Sequence, residues 1–527
     1  MFCTGQFSAG RIDCEWIGSD SPRTRRTIVN MKERRRISEV IWACLLTTLA
    51  VLGLVNIGFG QTEITLDPSV RHQTISGWEY EDFMNLGERS PTFPVFMARF
   101  DQYKDSLYDQ AANDLGLNRV RFMFGAGIEG PDDGLWGKYL AGQIPFEDTY
   151  KHPVRVVSSG PKRDAVNLSG FQFAMADWEI NNLILPMKRR VEANGEKFYF
   201  SGAYNAFRTS PGYLHSDPAY YARFVLAVFK HMEQTFGFVP DIWEMCNEPE
   251  NVPAWRDGTL MGHALVKTAA LLSANGYHPK FELPSPSFVK NAAMYFRQVT
   301  SVRGALPLIG EFSYHLYDLY GPHRGHGEEI QQIAATGARF GFDTAMNEAA
   351  GIADGRWLHD GLKKGNNSSW EQFTLAQASS SPLDVAYYAI DANNKVKLRA
   401  NAINYRQYFH YIRPGAVRIE AQTNNSKFDP VAFINANGKY VVVVQAATGG
   451  SMTVSNLPAG VYGITDSLGD KHPDSNVTNG TLTTQISGAG YITIYGKVPP
   501  PPQAVNAGQA AQFLVSISGA GIANPAR

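Results

Sequence analysis

The chain has 527 residues, is 44% hydrophobic and 18% charged, and carries a formal net charge of -1. That length can bury more than one core, and the balanced charge, with no long single-sign run beyond the N-terminus, argues against a nucleic-acid partner or an acidic tail. Cys3, Cys14 and Cys44 precede residue 60, so Cys246 stands alone in the body; a disulfide scaffold is excluded, and Cys246 reads as a small packing residue.

Met31-Lys32-Glu33-Arg34-Arg35-Arg36, followed by an apolar run from Val40 and a small-residue exit at Phe59-Gly60, has the order of a secretory signal. Residues 1–60 then divide into an upstream mis-start and a signal that begins at Met31. The alternative is an uncleaved anchor, since about 20 apolar residues span a bilayer. Either way the body is expected outside the cytoplasm, secreted or periplasmic.

From residue 74 short apolar runs alternate with amphipathic ones, the rhythm of βα units. Strands are predicted at Thr74–Trp78, Arg119–Phe124, Lys197–Ala203, Asp241–Cys246, Lys280–Pro284, Leu306–Tyr314, Gly341–Met346 and Phe373–Ala378. The clearest helix follows the third: Asp217 can cap it, Pro218 suits its first turn, Tyr221, Val225, Val228 and Met232 share a face, and Gly237 stops it. Met261–Ala274 and Glu328–Phe340 read likewise. A doubly wound open sheet is the alternative, but carboxylates at strand exits favour a (β/α)8 TIM barrel with a side β-sandwich.

Beyond residue 385 alternating strands take over, as in Pro430–Ile434, Lys439–Val444, Gly460–Ile464 and Tyr491–Ile494, with Asn437-Gly438 as a hairpin signal. Glu63–Leu66 is placed to complete this sandwich. The expected organisation is residues 61–73 as an N-terminal sandwich strand, 74–412 as barrel, 413–497 as β-sandwich, and 498–527 as Pro-rich linker and tail.

Two glutamates carry the chemical reading. Glu248, in Trp243-Glu244-Met245-Cys246-Asn247-Glu248-Pro249, and Glu348, in Thr344-Ala345-Met346-Asn347-Glu348, each end an apolar run where a barrel strand would open into a loop. A retaining glycosidase needs such a pair, held about 5 to 5.5 Å apart. Around them, Arg121 is expected to hold Glu348 as a carboxylate, Tyr317 to orient it, and His315 to tune the acid. Arg119 is expected to point the opposite way and to be structural.

Gly125-Ala126-Gly127-Ile128-Glu129-Gly130 matches a dinucleotide fingerprint, with Glu147 at suitable spacing. Pro131-Asp132-Asp133-Gly134 breaks the helix that would hold a pyrophosphate, so a loop over the cleft is expected instead. No cofactor is expected. No His/Cys/Asp cluster has metal-ligand spacing, and Asp132 with Asp133 reads as a solvated pair.

Asn247-Glu248-Pro249, Tyr314-His315-Leu316-Tyr317 and the strand-end Glu348 together resemble clan A glycoside hydrolases. Tyr405-Arg406-Gln407-Tyr408-Phe409-His410-Tyr411-Ile412-Arg413-Pro414-Gly415-Ala416-Val417-Arg418-Ile419 is similar to the helix-to-sandwich junction of glycoside hydrolase family 30. The resemblance implies Glu248 as acid/base, Glu348 as nucleophile, Asn247 as the ligand of a sugar 2-hydroxyl and Arg121 as the second-strand arginine.

Two departures stand out: Gly77-Trp78-Glu79-Tyr80-Glu81 replaces the family's Gly-Phe-Gly-Gly, and the eighth-strand Trp is replaced near Gln377. Trp78, Tyr204 and Asn205 are further expected sugar contacts, because rings stack on pyranoses and amides bind hydroxyls. The expectation is a secreted, monomeric, retaining β-glycoside hydrolase with a carbohydrate substrate and no membrane contact beyond the signal. A carbohydrate-binding protein on a decayed barrel is the competing reading.

Overall fold

The computed structural model describes residues 61–81, 99–130, 134–145, 148, 168–207, 213–317, 327–349, 355–380 and 386–497. The signal-like segment, the Pro-rich tail, Asp132, Asp133 and Glu147 lie outside the described residues. After a first strand, β1 (Thr62–Thr74), eight parallel strands close a barrel in chain order. They are β2 (Gly77–Glu81), β3 (Arg119–Gly125), β4 (Tyr199–Asn205), β5 (Ile242–Glu244), β6 (Lys280–Pro284), β7 (Ile309–His315), β8 (Asp343–Glu348) and β9 (Asn367–Gln372).

Helices α1 (Phe100–Asp109), α2 (Leu185–Ala193), α3 (Pro218–Phe236), α4 (Gly258–Ser273), α5 (Val289–Ser301), α6 (Gly327–Phe340), α7 (Arg356–Lys363) and α8 (Ala400–Phe409) follow the successive barrel strands. In α3 the Asp217 carboxylate accepts from the Ala219 N–H, Pro218 opens the first turn, and Gly237 leaves in the left-handed region at φ 74°. Its buried face includes Tyr221, Val225, Val228 and Met232, the period that the sequence displays.

The eighth strand is a correction. Phe373–Ala378 is not a barrel strand; β9 lies earlier, and Ala376–Ala378 forms β10 of a separate three-stranded sheet with β11 (Tyr388–Ile390) and β12 (Val396–Leu398). The physical reason is polarity: β9 reads Asn-Ser-Ser-Trp-Glu-Gln and is buried throughout, so no apolar run announces it. The first strand likewise begins at Gly77 rather than Thr74, which belongs to β1.

Arg119 is a second correction. Residues two apart on a strand face the same side, so Arg119 points inward with Arg121. It forms the lower charge layer, with Nε 2.8 Å from Glu79 Oε1, Nη1 3.1 Å from Glu311 Oε1 and Nη2 3.5 Å from Glu282 Oε2. The interior of this barrel therefore holds buried carboxyl groups gathered around the Arg119 and Arg121 guanidiniums, whose charge offsets the cost of burying them.

The remaining strands form one sheet system in the order β18-β17-β20-β15-β14-β13-β1-β16-β19, with β13 (Val417–Thr423), β14 (Phe428–Ile434), β15 (Tyr440–Ala446), β16 (Gly450–Ser455), β17 (Gly460–Asp466), β18 (Ser475–Val477), β19 (Thr481–Ile486) and β20 (Gly490–Gly496). Period-two alternation divides β15: Val442 and Val444 fill the sandwich core, while Val441 and Val443 join the barrel-side core.

β1 lies antiparallel to β13 and parallel to β16, with Ile64 and Leu66 fully buried between the layers. Leu66→Ala should consequently cost about 2–5 kcal/mol of stability, read as a lower midpoint in chemical unfolding. A midpoint unchanged from the parent would mean that the first strand is dispensable.

Candidate active site

The rim at the C-terminal ends of the barrel strands is built by irregularity. Along β7 and β8, Tyr314 pairs with Met346 but His315 pairs with Glu348, so Asn347 is skipped. Such a bulge re-aims the next side chain. Here it brings Glu348 level with His315, while the Asn347 amide donates to Ser285 Oγ at 3.0 Å.

Glu248 is placed by the loop after β5. Its backbone sits in the left-handed region at φ 47°, an uncommon state for a residue with a Cβ. Three backbone hydrogen bonds hold it there: Asn247 N–H to Tyr204 O, Glu248 N–H to Ser285 O, and Asn251 N–H to Glu248 O. The loop is thus pinned to the neighbouring strand ends on both sides.

Between the two carboxylates stands His315, fully buried. Its Nδ1 lies 3.2 Å from Glu248 Oε1 and 3.8 Å from Glu348 Oε2. One oxygen from each glutamate and one nitrogen of His315 all fall within 4.8 Å of one another.

The two glutamates differ in their partners. Glu348 Oε2 accepts from Arg121 Nη1 at 2.6 Å and its Oε1 from the Tyr317 hydroxyl at 2.5 Å, two donors directed at a carboxylate. Burial pushes the Tyr317 hydroxyl well above its usual range, and the nearby carboxylates add to this, so it remains a donor. Glu248 Oε2 accepts from Asn251 Nδ2 at 2.8 Å, an amide that also reaches Ser287 Oγ at 3.1 Å.

Arg121 ties the site to the barrel. Its Nε and Nη2 clasp both oxygens of Glu244 at 2.6 and 2.9 Å, and Nη2 donates to Asn247 Oδ1 at 2.9 Å. Nη1, besides Glu348, lies 3.4 Å from Glu81 Oε2. Holding Asn247 by its oxygen leaves the amide nitrogen as the group that can donate to a ligand.

The charges of the pair follow from these contacts. Burial alone would raise the Glu248 carboxyl, but hydrogen bonds from His315, Asn251 and Ser287 outweigh it and hold the group below its usual range. Burial would lower His315, yet the Glu348 and Glu248 carboxylates outweigh that and hold the imidazole above its ordinary 6.5. At rest the proton of the His315–Glu248 pair therefore sits on the imidazole.

Several expected contacts are placed elsewhere. Trp78 points out of the barrel: its ring stacks on Phe409 with centroids 4.4 Å apart, and its Nε1 donates to Ile412 O at 2.6 Å. Tyr204 also faces outward, hydrogen-bonded to His215 Nδ1 at 2.9 Å and edge-on to Tyr221. Alternation is the reason, because both rings occupy the outward positions of strands whose inward positions include Glu79 and Ala203.

Asn205 does end β4 at the rim, where its Oδ1 accepts from the Phe207 N–H. Gln377 lies on β10, off the barrel. The exit of the eighth strand is occupied instead by half-buried Phe373, whose N–H donates to Ala349 O beside Glu348. Asn251 and Ser287 went unrecognised in the sequence; the spacing Glu248-Pro249-x-Asn251, a single turn of 3₁₀ helix, was the available signal.

The glycine run forms a short turn, Ala126–Ile128, and Glu129 just after it binds His215 Nε2 at 2.6 Å. Cys246 is buried, and burial pushes its thiol well up. The atoms of Glu248, His315 and Glu348 are close enough to grip a divalent ion, but the Arg121 cation against Glu348 disfavours one. Asp466, Asp470 and His472 form a similar cluster, in which Asp466 Oδ1 already accepts three backbone N–H groups.

Comparison with known proteins agrees with this architecture. The family model described as the glycosyl hydrolase family 30 beta sandwich domain matches residues 415–456. No curated protein matches by sequence. Among solved structures, a GH30 endoxylanase from Clostridium papyrosolvens C71 is 16% identical, covering 83% of this chain and 100% of that one, with a TM-score of 0.58. The catalytic domain of GH30 xylanase C from Talaromyces cellulolyticus is 15% identical, with the same coverage and a TM-score of 0.56. A conserved exported protein from Bacteroides fragilis is 12% identical, covering 82% and 99%, with a TM-score of 0.58.

Proposed function

We propose that this chain, similar in barrel and sandwich to glycoside hydrolase family 30, is a secreted retaining hydrolase of β-linked polysaccharides or oligosaccharides. One observation carries the reading: two carboxylates from the fourth and seventh barrel strands meet within 4.8 Å across one imidazole. So close an approach supports a retaining mechanism over an inverting one, whose acids lie about 6.5–9.5 Å apart with a water between them.

In the first step Glu348 attacks the anomeric carbon while the bond to the leaving oxygen breaks. The leaving oxygen takes a proton from Glu248. Formation of the ester consumes the negative charge of Glu348, the main support of the imidazolium, so the pair's one proton crosses the 3.2 Å contact from His315 to Glu248 and passes on to the leaving oxygen, which leaves Glu248 a carboxylate and His315 neutral.

In the second step Glu248, now a carboxylate beside neutral His315, removes a proton from water. Water attacks the anomeric carbon, Glu348 departs as an anion, and the proton returns to His315. Asn251 and Ser287 keep Glu248 aimed throughout. Asn247, its oxygen fixed by Arg121, offers its amide nitrogen to the sugar hydroxyl next to the reacting carbon.

The pair must hold one proton for the first step. Because His315 sits above its ordinary 6.5, kcat/KM should stay level through pH 6.5 and fall only at higher pH. His315→Gln should lower kcat about 10²–10³-fold on substrates with poor leaving groups and far less on activated aryl glycosides. Equal losses on both substrates would remove His315 from the proton path.

The endoxylanase and xylanase descriptions of similar structures make xylan the first polymer to try. A hydrolysis screen over β-linked xylan, glucan and galactan, with product sizes and anomeric configuration recorded by NMR, tests the function itself. Net inversion, or no turnover of any β-glycoside with sugar still bound, would replace this reading with an inverting enzyme or a binding protein. The order of residues 31–60 supports export, and activity recovered from the culture medium rather than from cells would test it.

A further inference from the structure

Glu371, on β9, belongs to none of the contacts described so far. It is fully buried and faces into the barrel, and neither of its oxygens has a hydrogen-bond partner among the described residues. It stands directly across from Glu79 on β2, and the pairing of Trp370 with Met346 puts it near the level of Glu348. The groups facing it are Glu79 and Glu81 on β2, Arg121 on β3, Glu348 on β8, and Tyr387 from the segment after β10, whose hydroxyl bridges Gln372 N–H and Glu79 O.

A carboxylate there would be a buried anion among other anions, with no donor to solvate it. The described cation that acts on it, Arg121, already has its strong contacts committed to Glu244, Glu348 and Asn247. Burial drives the Glu371 carboxyl well above its usual range; Arg121 pulls against it, and Glu79, Glu81 and Glu348 each push the same way as burial.

We propose that Glu371 is a positioning residue, kept as a neutral acid so that Arg121 is left to Glu348, and that its ionisation draws Arg121 off the nucleophile and silences the site. This rests on the hydrolytic reading above. The consequence is an alkaline shut-off beneath the active site, separate from the His315–Glu248 proton.

Two measurements decide it. The first needs no substrate: unfolding free energy as a function of pH for the parent and for Glu371→Gln, with Glu371→Met as a second neutral variant should the first fold poorly. A carboxyl raised in the folded state stabilises fully below its unfolded value near 4.5 and loses that contribution as pH rises. The Gln variant should therefore gain on the parent between pH 5 and 8.

A variant less stable than the parent at neutral pH, with the gap closing on acidification, would mean that Glu371 is an ionised partner of Arg121, and would overturn the proposal. The second measurement is the alkaline limb of kcat/KM. The parent should fall with a limiting slope of two protons and Glu371→Gln with a slope of one, at a neutral-pH rate within about threefold. Identical limbs would reduce Glu371 to a packing group. Loss of all hydrolysis in the parent would defeat the function, whereas the stability comparison would still decide the charge of Glu371.

Discussion

Glu348→Ala should reduce hydrolysis on the order of 10⁵-fold, about 7 kcal/mol of transition-state stabilisation at 1.36 kcal/mol per decade, on every substrate. The covalent step cannot proceed without its attacking oxygen, and the Tyr317 hydroxyl beside it is held as a donor to Glu348. Glu248→Ala should behave differently. Its loss falls on substrates whose leaving group needs a proton, while activated aryl glycosides still form the ester and stall there.

Azide separates the two roles by stereochemistry. With Glu248→Ala it should intercept the ester and give a glycosyl azide of retained configuration; with Glu348→Ala it attacks directly and the azide is inverted. Both measurements are made on protein shown by circular dichroism to be folded, because Glu248 and Glu348 are largely buried and Glu348 pairs with Arg121. The reverse assignment of azide configurations would exchange the two glutamates, and an active Glu348→Ala enzyme would end the proposal altogether.

What the amino-acid order reveals about this molecule depends on where polarity is spent. Strands with apolar outer faces, such as β3 and β6, are legible because Val120, Phe122, Phe281 and Leu283 alternate with the residues that line the interior. β9 is not, because Ser369 and Glu371 face inward and only Trp370 marks its outer side. The same fact displaced the expected strand to Phe373–Ala378 and the expected rim residue from Phe373 to Gln377.

Glu248 and Glu348 were legible as a pair because proline and a strand end fix where each emerges. The ring placements were not. Trp78 and Tyr204 are aromatic and adjacent to rim residues, yet one position of register turns each into the layer between barrel and helices, where they pack on Phe409 and Tyr221. Arg119 was misread against the same period of two. The Asn251 contact depends on the left-handed turn at Glu248, a conformation that no local propensity announces.

Arg121 tests how far stability and catalysis share one group. Arg121→Met keeps most of the side chain's bulk but leaves Glu244, Glu348 and Glu81 buried without their common cation. Removing one partner of a buried ionic cluster costs roughly 3–5 kcal/mol, because the remaining charges are desolvated and unpaired. Stripped of Arg121, these carboxyls take up protons more readily when folded than when unfolded, so the cost is greatest at neutral and higher pH and eases on acidification. Activity should vanish at all pH values, since protonating Glu348 restores stability but removes the nucleophile. Adding Glu244→Met should recover part of the stability with none of the activity, a coupling that a double-mutant cycle in denaturant measures directly. If Arg121→Met unfolds at the parent's midpoint, the guanidinium is not what holds these carboxylates inside the barrel.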